Sequence, residues 1–219
     1  MADNGEAGER ILREKMVEEQ IVSRGITDRA VIEAMKNVPR ELMVRTEDAR
    51  CAFYDGPLSI GHGQTISQPY IVAYMTEKLE LTGSDRVLEV GTGSGYQAAV
   101  LAEIAAEVYT VEVVPELGEK SRSMLGSLGY DNIRYRIGDG CEGWPEEAPF
   151  DAIIATAAPA EVPGPLLEQL ADGGRMVIPV GTGIQYIHKI VRRGGEFDDE
   201  PLIAVRFVPL VGPSCGGGR

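Results

Sequence analysis

Three glycines at alternating positions, Gly91, Gly93 and Gly95, form the pattern in this chain that most directly suggests chemistry. They follow a short apolar run and precede a stretch with helical character. Glycine tolerates positive φ and lets a ligand approach the backbone closely, so a strand, glycine turn and helix in this order are typical of nucleotide cofactor sites. A tight turn that binds nothing is the alternative, because a glycine triplet alone is weak evidence.

Two acidic residues accompany the glycines. Glu89 lies just before them, and Glu112 closes the next apolar run about twenty positions further on, where folds of this kind carry the acid that binds ribose hydroxyls. The pattern is G-x-G-x-G, and Tyr96 stands where nicotinamide and flavin enzymes carry their third glycine. The sequence therefore predicts an adenosine cofactor, with an NAD-type oxidoreductase as the alternative.

A third acid, Asp139, follows the third predicted strand and precedes Gly140. Ligands of open α/β sheets bind at the carboxyl ends of the strands, which places Asp139 beside the glycine turn. We expect its carboxylate to accept a hydrogen bond from an adenine amino group. An ordinary Asp-Gly turn is the alternative interpretation.

Two hydroxyl side chains, Thr65 and Ser67, precede a predicted helix that begins at Pro69. In an extended segment alternate side chains point the same way, so the two hydroxyls could together hold a carboxylate; capping of the helix is the alternative. His62 lies in the same turn-rich stretch and is a candidate to line a pocket. No hydrolytic triad is indicated, and neither histidine has a partner at metal-ligand spacing, so no metal is predicted.

Hydrophobic periodicity predicts an α/β fold: a doubly wound, mostly parallel sheet of the Rossmann-like type, with an N-terminal helical cap and antiparallel C-terminal edge strands. Three helices are expected before the sheet: one over 9–22, a second that follows an N-cap at Thr27, and a third that begins at Pro69. A long irregular loop is expected over 47–68. The predicted strands are 86–90, 108–112, 133–137, 150–156, 175–180, 185–192 and 201–210; the helices between them are 96–106, 115–128 and 163–170.

We expect a single domain over 1–219. Residues 1–80 form the cap and active-site loop, 81–210 the cofactor-binding core and substrate-groove strands, and 211–219 a disordered tail. The formal net charge of -13 argues against a nucleic-acid partner. No segment has the length and apolarity of a membrane span, so a cytoplasmic monomer is expected. Cys51, Cys141 and Cys215 lack any clustered spacing and are interpreted as reduced thiols.

Several motifs together resemble a known family. Residues 87–99 resemble motif I of Rossmann-like S-adenosylmethionine-dependent methyltransferases. The stretch Gly-Gln-Thr-Ile-Ser-Gln-Pro from Gly63, with 138–140, 143–145, 150–158, 173–181 and 205–210, resembles the protein-L-isoaspartate O-methyltransferase family. The likeness extends from about the first helix to Leu210. Glu89 stands where many relatives have Asp, and the glycine-rich tail has no counterpart.

The resemblance implies methylation of the free α-carboxylate of L-isoaspartyl residues in damaged proteins and peptides, with S-adenosyl-L-methionine as cofactor and S-adenosyl-L-homocysteine as product. The ester then closes to a succinimide, which opens in part to normal aspartate. Such a carboxylate, with a pKa near ~3.5, is ionised at neutral pH and needs no general base.

The same resemblance assigns roles to individual residues. Ser67 and Thr65 are its catalytic pair, and both also contact the substrate. It also matches 205–210 to a segment that lines the peptide groove, which adds Val205 and Phe207 as substrate contacts to the loop candidate His62. The cofactor contacts are Glu89, Gly91, Thr92, Gly93, Gly95, Glu112, Asp139 and Gly140.

Two further alternatives remain at this stage. Methylation of RNA or DNA bases expects an Asn/Asp-Pro-Pro-aromatic motif after the fourth strand, where this chain reads Ala-Thr-Ala-Ala-Pro from Ala155. A cofactor-binding module without catalysis has no need of both Thr65 and Ser67.

Overall fold

The computed structural model describes residues 3–215, and of residues 3–6 only the backbone. Its helices are α1 Asp3–Gln20, α2 Arg29–Asn37, α3 Pro69–Lys78, α4 Tyr96–Ala102, α5 Pro115–Ser127 and α6 Gly164–Glu168. Its strands are β1 Leu58–Gly61, β2 Gln64–Ile66, β3 Arg86–Val90, β4 Glu107–Glu112, β5 Ile133–Ile137, β6 Phe150–Ala155, β7 Leu170–Val180, β8 Gln185–Arg193 and β9 Glu196–Val205.

Seven of these strands form one sheet in the order β5-β4-β3-β6-β7-β8-β9. The first five in this order pair in parallel, and β8 and β9 add antiparallel pairing at one edge. The chain moves outward from β3 to β5 and then returns to β6 on the other side of β3. Ligands of doubly wound sheets bind at such a reversal of strand order. The predicted fold class is confirmed.

Alternate residues of the central strands pack into two separate hydrophobic clusters. Ala152 and Ile154 of β6 belong to the cluster that includes the N-terminal helices, whereas Ile153 and Ala155 belong to the cluster on the other face. Side chains of a strand point alternately to its two faces, so the continuous apolar sequence of β6 reflects burial on both sides. The sheet is therefore covered on both faces.

The N-terminal helices pack against α3 and form the predicted cap. On α1, Met16 and Val17 are buried, but Ile11 and Leu12 remain exposed. The cap of α2 differs from the prediction: Asp28, and not Thr27, is the N-cap, and its carboxylate accepts hydrogen bonds from the backbone of the next turn. None of the helices in the described part of the chain combines the length and apolarity that crossing a membrane requires.

The expectation of an irregular loop over 47–68 is wrong in its second half. There β1 and β2 form a small antiparallel hairpin in which Ser59 faces Thr65. The turn contains Gly61 and Gly63, both at positive φ, and it also holds His62 at a φ of 53°. The glycines that suggested irregular backbone in fact provide the left-handed conformations of a tight turn.

The last strand, β9, begins before the predicted 201–210 segment and ends at Val205. Its first residues are acidic and lack strand-like alternation, but pairing with β8 across the turn at Gly194 holds them extended. Pro201 lies where the pairing register shifts, which is a position where a missing backbone N–H is tolerated. After Val205 the chain is no longer paired with β8 and continues toward the carboxyl ends of the parallel strands, where Pro209 pairs with Ala158.

Two expectations about the cysteines and the tail are corrected. Cys141 and Cys215 form a disulfide, so they are not reduced thiols; Cys51 is free. The backbone N–H and the hydroxyl of Ser214 make hydrogen bonds, so the predicted disorder of the tail does not apply up to Cys215. Residues 216–219 lie outside the described part. A pairing across 74 positions could not be deduced from cysteine spacing.

Replacing Asp28 with alanine should lower the free energy of unfolding by about 1 kcal/mol, because two backbone N–H groups of α2 lose their acceptor. Thr27→Ala is the matched control, since the Thr27 side chain caps nothing in the described structure. Urea denaturation measures both variants. An equal loss in the two would contradict the assignment of the cap.

Candidate active site

A cleft enclosing about 720 Å³, partly open to solvent, lies at the carboxyl ends of β3, β4 and β6. The segment from Gln64 to Ser67 and the segment from Val208 to Val211 form two of its walls. Seven of the residues singled out from the sequence line it: Thr65, Ser67, Gly91, Thr92, Gly93, Glu112 and Gly140. Its position matches the site that the strand order predicts.

The glycine turn is shaped by contacts that only glycine permits. Gly91, at a φ of 96°, lies against Thr156, whose hydroxyl donates to the Gly91 carbonyl at 2.6 Å. Gly95 does not line the cleft. A Cβ there would come within 2.9 Å of the Leu125 side chain, so Gly95 allows α5 to pack closely on the turn. The first glycines thus face the cleft, and the third serves helix packing.

Glu112 joins the turn to the end of β4. Its carboxylate is largely buried, lines the cleft, and accepts hydrogen bonds from the backbone N–H of Gly93 at 2.7 Å and of Val114 at 2.9 Å. A carboxylate offers about four acceptor sites, so capacity remains for two further donors. With the apolar walls of Val90 and Leu210, this arrangement fits the ribose and adenine of an adenosine cofactor.

Glu89 lies behind the turn and does not line the cleft. Its carboxyl is fully buried and within 2.5 Å of the Thr110 hydroxyl, which lies 2.5 Å from the Thr92 hydroxyl. Burial raises the pKa of Glu89 to about 8, aided by the nearby charge of Glu112 and opposed by the Thr110 hydrogen bond. Glu89 is therefore mostly protonated at neutral pH, and the structure places it to position Thr92 through Thr110.

Thr65 and Ser67 line the same cleft as the glycine turn, with the buried Ile66 between them. Ser67 lies in the short connection between β2 and α3. The N-cap of α3 is Gln68, with no capping hydrogen bond from a side chain. The capping alternative is therefore not what the structure shows, and both hydroxyls are available to a ligand.

Three of the predicted substrate contacts lie outside the lining of the cleft. His62 is exposed at the tip of the β1–β2 hairpin. Val205 ends β9, and Phe207 follows it; both are half-buried against the cluster that includes the N-terminal helices. They lead directly into residues 208–211, which do line the cleft.

Asp139 also lies outside the lining, although its neighbour Gly140 is part of it. Its carboxylate accepts hydrogen bonds from the backbone N–H of Cys141 at 2.9 Å and of Ser214 at 2.5 Å. Asp139, which was predicted to contact adenine, therefore uses one carboxylate oxygen to accept a hydrogen bond from the C-terminal segment.

Sequence reasoning missed part of the site. Thr156 follows β6 directly, and its place at the end of an apolar strand was a usable signal. The wall formed by Val208 to Val211 overlaps the segment 205–210 that the resemblance singled out, but its place in the cleft depends on backbone pairing with Ala158. Gln64 and Gln97 also line the cleft.

Comparison with known proteins identifies the family. The family model described as protein-L-isoaspartate(D-aspartate) O-methyltransferase matches residues 11–214. The chain belongs to this family. It is 58% identical over 205 residues to protein-L-isoaspartate O-methyltransferase of Picosynechococcus sp., covering 94% of this chain and 92% of the relative. It is 54% identical to the Methanoculleus marisnigri protein of the same name, covering 91% of each chain.

Solved structures agree with this family assignment. A protein-L-isoaspartate O-methyltransferase structure superposes with a TM-score of 0.85 at 28% identity, covering 93% of this chain and 67% of that one. A Plasmodium falciparum protein described by the same activity, solved in complex with S-adenosyl-L-homocysteine, gives a TM-score of 0.80 at 27% identity and covers 91% of this chain and 98% of that one. Family membership argues against the oxidoreductase and nucleic-acid alternatives.

The buried Glu89 should make stability depend on pH. With a pKa of about 8 in the folded chain and ~4.3 in the unfolded chain, it keeps a proton that the unfolded chain releases between these values. Its contribution to stability is therefore complete below about pH 4 and is lost as pH rises through 8, by at most about 1.4 kcal/mol per pH unit.

Replacing Glu89 with glutamine should remove that fall while keeping a hydrogen-bonding partner for Thr110. Urea denaturation should be repeated at several pH values between about 5 and about 9. The free energy of unfolding of the variant should rise relative to that of the parent as pH rises. The exposed Glu116, changed to glutamine, is the control and should keep the parental profile. Parallel profiles for Glu89→Gln and the parent would contradict the raised pKa.

Proposed function

We propose that this cleft binds S-adenosyl-L-methionine and transfers its methyl group to the α-carboxylate of L-isoaspartyl residues in damaged proteins and peptides. The observation that carries the proposal is the meeting of two unlike halves in one cleft. One half is the glycine turn with Glu112, and the other is the pair of available hydroxyls on Thr65 and Ser67. Family membership supports the same activity.

The cofactor half consists of Glu112, the glycine turn and apolar walls. The Glu112 carboxylate would accept hydrogen bonds from the two ribose hydroxyls, and Val90, Val111 and Leu210, which line the cleft, would enclose the base. When bound, S-adenosyl-L-methionine supplies an electrophilic methyl group on a positively charged sulfur. Glu89 and Thr110 act behind this half by fixing Thr92.

The acceptor half contains neutral donors. Thr65 and Ser67 donate to one oxygen of the substrate carboxylate and leave the other free to attack. The described lining of the cleft contains no lysine or arginine. A bidentate arginine would stabilise the charged ground state more than the charge-dispersed transition state, so hydroxyl donors suit this reaction better.

Alignment is the main catalytic contribution that we assign to the chain. The attacking oxygen is already ionised, so no side chain has to remove a proton. Holding the carboxylate in line with the methyl group converts an encounter into an intramolecular step, which can contribute on the order of 7 to 11 kcal/mol. Residues of the hairpin and of the C-terminal wall line the same cleft, which supports this assignment.

We further propose that the chain acts as a monomer in the cytoplasm. The free Cys51 is compatible with a reducing compartment. Disulfides in such compartments are usually redox-responsive, so the Cys141–Cys215 bond is a candidate for a redox-responsive disulfide.

Ser67→Ala should lower kcat for methyl transfer to an isoaspartyl peptide roughly 10- to 100-fold, since a hydrogen bond to a charged group contributes about 1.5–3 kcal/mol. Affinity for S-adenosyl-L-homocysteine should be nearly unchanged. Labelled methyl transfer to paired isoaspartyl and aspartyl peptides measures the first, and calorimetry the second. Ser59→Ala, on the neighbouring β1–β2 hairpin but outside the cleft, is the control. Unchanged turnover in Ser67→Ala would remove Ser67 from the mechanism.

Glu112→Ala should weaken binding of S-adenosyl-L-homocysteine at least about tenfold, or ~1.4 kcal/mol, because the ribose acceptor and the anchor of the glycine turn are both lost. Calorimetric titration gives the dissociation constant. The matched variant Glu116→Ala removes an exposed carboxylate from the neighbouring helix and should bind normally. Equal affinity in the two variants would refute the role of Glu112.

A further inference from the structure

The C-terminal residues 208–215, here called the C-terminal strap, lie along the carboxyl edge of the sheet. Two backbone hydrogen bonds connect the strap to Ala158: Ala158 N–H donates to the Val208 carbonyl at 2.9 Å, and Leu210 N–H donates to the Ala158 carbonyl at 2.8 Å. Residues Val208 to Val211 line the cleft at the end where Gly140 lies. The first half of the strap is thus a wall of the proposed cofactor site.

The far half of the strap is attached to the turn that follows β5. The Ser214 backbone N–H donates to Asp139, and its hydroxyl donates to Glu142 at 2.6 Å. The covalent attachment is the disulfide between Cys141 and Cys215, whose Cα atoms are 5.3 Å apart. The two hydrogen bonds are exposed to water and are weak anchors on their own, so the disulfide is the principal attachment.

The strap also fixes Asp139. One carboxylate oxygen accepts from Cys141 N–H and the other from Ser214 N–H. Gly212 packs so tightly against this carboxylate that a Cβ at position 212 would overlap it. A carboxylate has about four acceptor sites, so two remain for another donor. Both backbone donors belong to the disulfide-linked segments, one being Cys141 itself and the other the neighbour of Cys215.

We propose that Cys141 and Cys215 are positioning residues of the cofactor site: their disulfide holds the C-terminal strap as a wall of the cleft. This inference rests on the proposed function. A wall that is ordered before binding does not have to be ordered by the ligand, so the oxidised chain binds the cofactor more tightly than the reduced chain.

The bond is formed by thiol–disulfide exchange with a low-molecular-weight disulfide. The two cysteine thiols lose two protons and two electrons and form one S–S bond. The small disulfide accepts both electrons and both protons and leaves as two thiols. A small dithiol reverses the exchange and is itself oxidised to a disulfide, so the strap reports the thiol state of the compartment.

The test uses the full-length chain in oxidised and reduced form. Thiol titration of the unfolded protein should find one free thiol after treatment with a small disulfide and three after reduction, matching Cys51 alone and all three cysteines. Calorimetry with S-adenosyl-L-homocysteine should give a dissociation constant roughly fivefold larger for the reduced chain, as expected for loss of one pre-ordered segment.

Two variants locate the effect. Cys215→Ser should bind with the reduced-chain affinity under both treatments, whereas Cys51→Ser should retain the full difference. Three free thiols after oxidation, equal affinities of the oxidised and reduced parent chain, or a difference that persists in Cys215→Ser would each overturn the inference. Absence of binding by the oxidised parent would instead contradict the proposed function.

Discussion

The hydrogen bond from the Gly93 backbone to the Glu112 carboxylate is the interaction on which the rest of the site depends. It joins the turn after β3, which lies next to the reversal of strand order, to the end of the neighbouring strand β4. Because the turn has glycines at positive φ, it has many accessible conformations in the unfolded chain, and a buried acceptor at a fixed position selects one of them. The Val114 N–H holds the same carboxylate from the other side.

The N-terminal cap reaches the cleft through Tyr96. This residue lines the cleft, and its ring lies under the guanidinium of Arg40, 4.8 Å from the ring centroid. Arg40 is fully buried, and its Nε donates to the Ala52 carbonyl at 2.8 Å. Burial lowers the pKa of Arg40 to about 10, so it stays charged at neutral pH. A buried cation on an aromatic ring constrains both partners, and it links the segment before the β1–β2 hairpin to the first residue of α4.

Sequence patterns could predict what depends on local structure. The strands β3 and β5 were predicted with the bounds observed, because both are short segments bounded by turn-forming residues; β3 is mostly apolar, and β5 alternates Ile or Tyr with Arg. The residues of the glycine turn and Glu112 could also be placed, since strand order brings consecutive strand ends together. What failed depends on distant partners: β9 is extended because of β8, and the strap because of Ala158 and Cys141. The sequence predicted that Glu89 contacts the cofactor, because residue spacing alone does not show that its carboxyl is buried behind Thr110.

The charge at the site differs from the charge of the chain. A net charge of -13 suggests a poor environment for an anionic substrate. Glu89, however, is mostly neutral at physiological pH because burial raises its pKa to about 8. The Glu112 carboxylate is partly compensated by two backbone N–H groups, and the cofactor that we propose carries a positive sulfur. The cleft that Thr65 and Ser67 line therefore carries less negative charge than a count of acidic residues indicates.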